Sequence, residues 1–244
     1  MENNLTRSHA LNNIPQLQVK EKISSVLKAC ETCSKRIDDK NIDGVCNNCA
    51  VIITAYNRYQ EANIPIEYWN YRMDKDFKGD PRLLVKYEEY IADLKQSYIN
   101  GTSICFASGH GRGKTLTATA ILKKACQKGY LCLYTDLSSI DSALTQASSE
   151  EKYLSRKELI GVDFLVIDEA DIRFFNQSDA SNDLFGRSFE SIIRNRIQNK
   201  LPIILATNSP NFKEGFHTLF KDSIGSLMNR IPTFTVLGED HRTK

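Results

Sequence analysis

One run of residues constrains this chain more than any other: Ser108-Gly109-His110-Gly111-Arg112-Gly113-Lys114-Thr115. An apolar stretch, Ser103 to Ala107, leads into it, and a helical pattern, Lys114 to Lys128, leads out. In a strand, glycine-rich loop and helix arranged this way, glycines let backbone N–H groups turn inward and approach an anion. The helix N-terminus adds a favourable dipole. In the pattern G-x-x-x-x-G-K-[ST], the lysine reaches the β- and γ-phosphates of a nucleotide and the hydroxyl binds Mg²⁺. Gly109, Gly111, Arg112, Gly113, Lys114 and Thr115 are therefore the candidate nucleotide-binding residues. Ser108 stands where the pattern has its first glycine. Serine is small and three glycines remain, so the loop is expected to form. An ordinary glycine-rich turn is the competing reading, and the flanking strand and helix speak against it.

A second motif lies about fifty residues on, at Phe164-Leu165-Val166-Ile167-Asp168-Glu169. An apolar strand ending in two acids delivers them to the carboxyl edge of a sheet, where open α/β sheets bind ligands. Asp168 suits the Walker B role of holding Mg²⁺, together with Thr115. Glu169 suits a general base that polarises an attacking water. A helix-capping acid pair is the plain alternative, but the preceding phosphate loop makes the pair a Mg-ATP site with its catalytic acid present. Asn208 follows a third apolar run, Pro202 to Ala206. It would orient the water and sense the γ-phosphate, or serve as a turn residue before Ser209-Pro210.

The remainder alternates from Asp80 onward. Helices are expected over Pro81–Tyr98, Lys114–Lys128, Ser139–Ala147, Asn182–Gln198 and Phe220–Arg230, and strands over Ser103–Ala107, Leu131–Tyr134, Val162–Ile167, Pro202–Ala206 and Thr233–Leu237. Strands apolar throughout and separated by helices indicate an α/β fold with a five-stranded parallel sheet covered on both faces. A length of 244 residues accommodates such a domain plus a small appendage. The net charge of +2 excludes a protein that finds nucleic acid by bulk positive charge, but leaves a local basic groove open. No apolar run is long enough to span a bilayer, and the polar N-terminus has no signal pattern, so a cytoplasmic protein without membrane contact is expected.

The appendage carries Cys30-x2-Cys33-x12-Cys46-x2-Cys49. Two CxxC knuckles supply four thiolates for a closed tetrahedral site, and structural Zn²⁺ is the best reading, with redox cysteines or an iron–sulfur cluster as alternatives. Such a segment is too small to bury enough surface alone, so the metal would contribute folding energy. Cys105, Cys126 and Cys132 fall in apolar positions and read as buried small hydrophobes. The expected organisation is a helical zinc-binding module over 1–62, a connector over 63–80 and an ATPase domain over 81–244.

Residues about 64 to 242 resemble the AAA+ ATPase domain of the DnaC/DnaI-type helicase loaders. The resemblance is carried by GHGRGKT (109–115), FLVIDEAD (164–171), SIIRNRIQNKLP (191–202), ILATNSP (204–210), GSLMNRI (225–231) and the aromatic lead-in IPIEYWNY. The four-cysteine module is similar in type to the helicase-contacting domain of the DnaI-type loaders. Transposition helpers of insertion sequences share much of the ATPase pattern.

The resemblance implies a P-loop AAA+ core without a C-terminal helical lid. It places Asn208 at the sensor position and Arg230 at the position of a trans-acting arginine, whose plain alternative is a surface arginine at a helix C-terminus. Ser226 stands where some members carry a second arginine. The implied function is ATP-dependent loading of a DnaB-type replicative helicase onto single-stranded DNA, with self-assembly in the ATP state. The alternative is a transposition helper that binds DNA and recruits a transposase. Arg173, Phe174, Phe175 and Arg194 are candidate DNA contacts.

Overall fold

The computed structural model describes residues 47–171, 180–209 and 211–237, without the side chains of 47–50, 180–183 and 218–223. Cys30, Cys33, Cys46, the side chain of Cys49 and residues 173–175 lie outside the described residues. The helices are α1 (Asn47–Glu61), α2 (Pro81–Ala92), α3 (Leu94–Asn100), α4 (Lys114–Gln127), α5 (Leu137–Thr145), α6 (Ser149–Gly161), α7 (Ala180–Gln198) and α8 (Phe212–Asn229). The strands are β1 (Ile104–Ala107), β2 (Cys132–Asp136), β3 (Phe164–Asp168), β4 (Ile203–Thr207) and β5 (Thr233–Thr235).

The strands form one parallel sheet in the order β2-β3-β4-β1-β5. Every residue of β1, β3 and β4 is buried, as expected for central strands between two helical layers. The pleat sends alternate side chains to opposite faces. Leu165, Ile167, Leu205 and Cys105 join a core with Leu137, Leu159, Phe189 and Phe216 from α5, α6, α7 and α8. Phe164, Val166, Ile204 and Phe106 join the other core, with Tyr59, Leu83 and Ile121 from α1, α2 and α4. Cys105, Cys126 and Cys132 are buried free thiols within these cores.

The expected helix over Pro81–Tyr98 is two helices. Asp80 caps the first and Pro81 opens it, but Asp93 leaves the helical region (φ −129°, ψ 63°) and its carboxylate caps the second by accepting from Gln96 N–H at 3.0 Å. Helix α6 has no counterpart among the expected elements. It begins with a capping box in which Ser148 and Glu151 satisfy each other's backbone N–H groups. Helix α8 starts at Phe212, earlier than the expected Phe220, and runs to Asn229.

The residues expected as a connector pack tightly on the body. Ile64, Trp69 and Met73 are buried in the second core. The open edge of β2 is covered at Tyr134: its N–H donates to the Ala62 carbonyl at 2.7 Å, and its carbonyl accepts from Asn63 Nδ2 at 3.1 Å. That contact occupies edge groups that would otherwise template pairing with another chain. On the opposite face, fully buried Arg196 of α7 donates to the carbonyls of Leu159, Val162, Asp163 and Pro202. It ties the end of α6 to the starts of β3 and β4. Burial pushes its pKa down to about 9.

Candidate nucleotide site

The loop after β1 turns through two glycines of positive φ, Gly111 (65°) and Gly113 (88°), and Gly113 is the N-cap of α4. A Cβ on Gly113 would lie 2.7 Å from Phe77 Cε2, so this glycine is required both by conformation and by the close approach of the lead-in segment. The first turn of α4 therefore opens its N–H groups toward the loop. Lys114 is only 6% exposed and its ammonium donates to Gly109 O at 2.6 Å and Ser108 Oγ at 3.1 Å. Ser108 is buried, so the serine in place of the first pattern glycine fits the loop and adds a hydroxyl acceptor for the lysine.

Asp168 ends β3, buried, and both carboxylate oxygens are engaged. Oδ1 accepts from Thr115 Oγ1 at 3.2 Å and from Glu169 N–H at 2.9 Å. Oδ2 accepts from the Tyr134 hydroxyl at 2.7 Å. Burial, and then the Asp168 charge, push the Tyr134 pKa well above its ordinary value, so the phenol stays protonated and donates. Glu169 adopts φ 44°, a left-handed conformation uncommon outside glycine and asparagine. The turn at the end of β3 is thus bent just where the second acid leaves the sheet.

These groups surround one cavity of about 260 Å³ lined by His110, Gly111, Gly113, Lys114, Thr115, Leu116, Asp168, Glu169, Ala206, Asn208 and Tyr68. Lys114, Thr115, Asp168, Glu169 and Asn208, singled out from sequence, converge here. Arg112 does not line the cavity; its guanidinium reaches the Val236 carbonyl at 3.4 Å, beyond β5. Gly109 contributes its carbonyl to Lys114 rather than a cavity wall. Arg230 is exposed at the C-cap of α8 and does not line this cavity. Tyr68 and Tyr134 were not anticipated. Tyr68 comes from the aromatic lead-in, and Tyr134 is set beside Asp168 by the pairing of β2 with β3.

The donor set fits Mg²⁺ with a nucleoside triphosphate. A hydroxyl and a buried carboxylate meet at the mouth of a glycine loop, which is oxygen chemistry suited to a hard cation. A buried lysine at a helix N-terminus suits phosphate. A sequence profile of the IstB-like ATP binding proteins matches residues 73–231, most of the chain and all the cavity-lining residues except Tyr68. The chain belongs to the IstB-like ATP-binding family.

Similar folds occur in solved structures. The DnaC helicase loader crystal structure matches with 18% identity and a TM-score of 0.58, over 71% of this chain and 100% of that one. The DnaI crystal structure matches with 16% identity and a TM-score of 0.54, over 71% of this chain and 95% of that one. The replication initiator DnaA bound to AMPPCP and single-stranded DNA matches with 16% identity and a TM-score of 0.57, over 72% of this chain and 51% of that one. The IstB-like chain spans about half the length of the initiator structures it matches. At these identities the likeness establishes the AAA+ P-loop fold. No curated protein matches the chain. Among the described residues no helix is long and apolar enough to cross a membrane.

Proposed function

We propose that this protein hydrolyses Mg-ATP and uses the cycle to load a replicative helicase of the DnaB type onto single-stranded DNA. The observation that carries the ATPase reading is the convergence of Lys114, Thr115, Asp168, Glu169 and Asn208 on one cavity. Lys114 binds the β- and γ-phosphates and Thr115 and Asp168 hold the cation. Bound Mg²⁺ neutralises charge on the phosphate oxygens. Glu169 takes the proton of the attacking water at its carboxylate, and Asn208 orients that water. Arg230, exposed at the end of α8, serves the site of a neighbouring copy, where its charge is worth most as the γ-phosphate departs. A head-to-tail contact of this kind is heterologous and can generate an open spiral. The cysteines Cys30, Cys33, Cys46 and Cys49 bind a structural zinc ion in a helicase-gripping module.

The loader reading is supported by the coverage of the whole DnaC loader structure by this fold. The family match itself favours a second reading, a transposition helper that coats DNA and recruits a transposase. One experiment separates them: affinity purification from cells with and without an ATP analogue, alongside electron microscopy on duplex DNA. Co-purification with a hexameric helicase supports the loader. ATP-dependent filaments on duplex DNA without helicase capture refute it in favour of the helper.

A further inference from the structure

Tyr134 joins two parts of the molecule through different atoms. Its side-chain hydroxyl donates to Asp168 Oδ2 at 2.7 Å. Its backbone N–H and carbonyl are held by Ala62 O and Asn63 Nδ2, at the exit of α1. Asn63 is 6% exposed and adopts φ 56°, a left-handed turn that aims its amide at the edge strand. The remaining neighbours of the Asp168 carboxylate, Thr115 and Glu169 N–H, both lie on Oδ1. Without the phenol, Oδ2 loses the donor that fixes the rotation of the carboxylate about its long axis.

We propose that Tyr134 is a positioning residue for the magnesium site, and that it links the seating of α1 against β2 to the orientation of Asp168. The proposal rests on the reading of Asp168 as the Mg²⁺-holding acid. Tyr134 does not line the cavity; its phenol sets the Asp168 carboxylate that does, as hydrogen-bond partners behind a metal ligand set the ligand's geometry. The same residue then makes the metal site responsive to whatever grips the chain ahead of α1. A double-mutant cycle measures the energetic coupling between these two contacts directly.

The test measures binding of a fluorescent ATP analogue while Mg²⁺ is titrated, and again in EDTA, with thermal melts of each variant. Tyr134→Phe keeps the ring and removes the donor. The expected result is a roughly ten-fold rise in the Mg²⁺ concentration for half-maximal binding, with affinity in EDTA unchanged. Asn63→Gly keeps the positive φ and removes the amide. It should shift the Mg²⁺ midpoint in the same direction by about three-fold, and add nothing in the Tyr134→Phe background. A midpoint for Tyr134→Phe at or below the wild-type value overturns the positioning role. Independent, additive shifts overturn the link to α1. Asp168→Ala is the separate control: if it leaves the Mg²⁺ dependence of binding untouched, the reading of Asp168 itself fails.

Discussion

Lys123 of α4 is a buried ammonium 7% exposed, and its environment makes a quantitative prediction about pH. It donates to the carbonyls of Tyr68 at 2.6 Å and Trp69 at 3.3 Å, and to that of Tyr71, and lies 6.0 Å from the Tyr59 ring centroid. Burial, reinforced by Lys124 and opposed by Asp76, pushes its pKa down from 10.5 to about 8. The unfolded chain therefore holds the proton more tightly than the folded one between pH 8 and 10.5. Stability must rise with pH across that window, and the gain is absent below it. Between pH 7 and pH 10 these two pKa values give about 2.5 kcal/mol.

Other groups act in the opposite sense. Burial raises Tyr59, Tyr71 and Cys105 to about 12, which favours the folded state below their unfolded pKa values and is lost at higher pH. The difference between wild type and Lys123→Met removes those shared terms. Urea melts of both proteins from pH 7 to pH 10 should show the wild type gaining about 2.5 kcal/mol on the variant. A difference that stays flat across the range refutes the reasoning, since it means the three carbonyls offset the burial completely.

Glu169→Gln should keep ATP-analogue binding and lower turnover by roughly 100-fold or more, read in a steady-state phosphate-release assay. Gly113→Ala forces a side chain to φ 88° and against Phe77, and should cost about 1–3 kcal/mol in denaturant melts together with nucleotide affinity. Mixing inactive Arg230→Ala with inactive Lys114→Ala subunits should restore partial ATPase activity; a mixture that stays inactive contradicts a trans-acting Arg230. Metal analysis of purified protein should find a single zinc ion per chain, lost in a Cys30→Ser, Cys33→Ser double variant.

The parts legible in the sequence are those whose chemistry demands particular residues at short fixed spacing. The phosphate loop and Asp168-Glu169 stand out because each is one strand end and its turn, and the central strands β1, β3 and β4 because buried parallel strands are almost wholly apolar. Helix α6 escaped because its buried residues, Ser155, Glu158 and Leu159, include only one apolar side chain, so periodicity carries little signal. The capping pair Ser148 and Glu151 was the available clue. Asp93 escaped because an aspartate inside a helical pattern looks like a solvated charge until its carboxylate is seen on Gln96 N–H. Tyr68 and Tyr134 were out of reach for another reason: each belongs to the site only through contacts distant in sequence, fixed by sheet register and by the path of the lead-in.

That path touches the nucleotide site at several places, and this bears on how a partner gripping the N-terminal region would be felt. Asn63 holds Tyr134, which holds Asp168. Tyr68 forms a wall of the cavity while Lys123 fixes its carbonyl from below. Phe77 packs over Gly113 at the start of α4, and Asp80 accepts from Leu237 N–H at 3.0 Å beyond β5. Asp80 is held to about 2 in pKa by Arg82 and by backbone N–H groups, so this tie stays charged at any physiological pH. A pull on α1 that displaced residues 62–80 would disturb the Asp168 contact, the cavity wall and the loop glycine together. The segment between α1 and α2, which supplies a wall of the cavity and the ring packed on the loop glycine, is therefore a part of the nucleotide site rather than a tether to it.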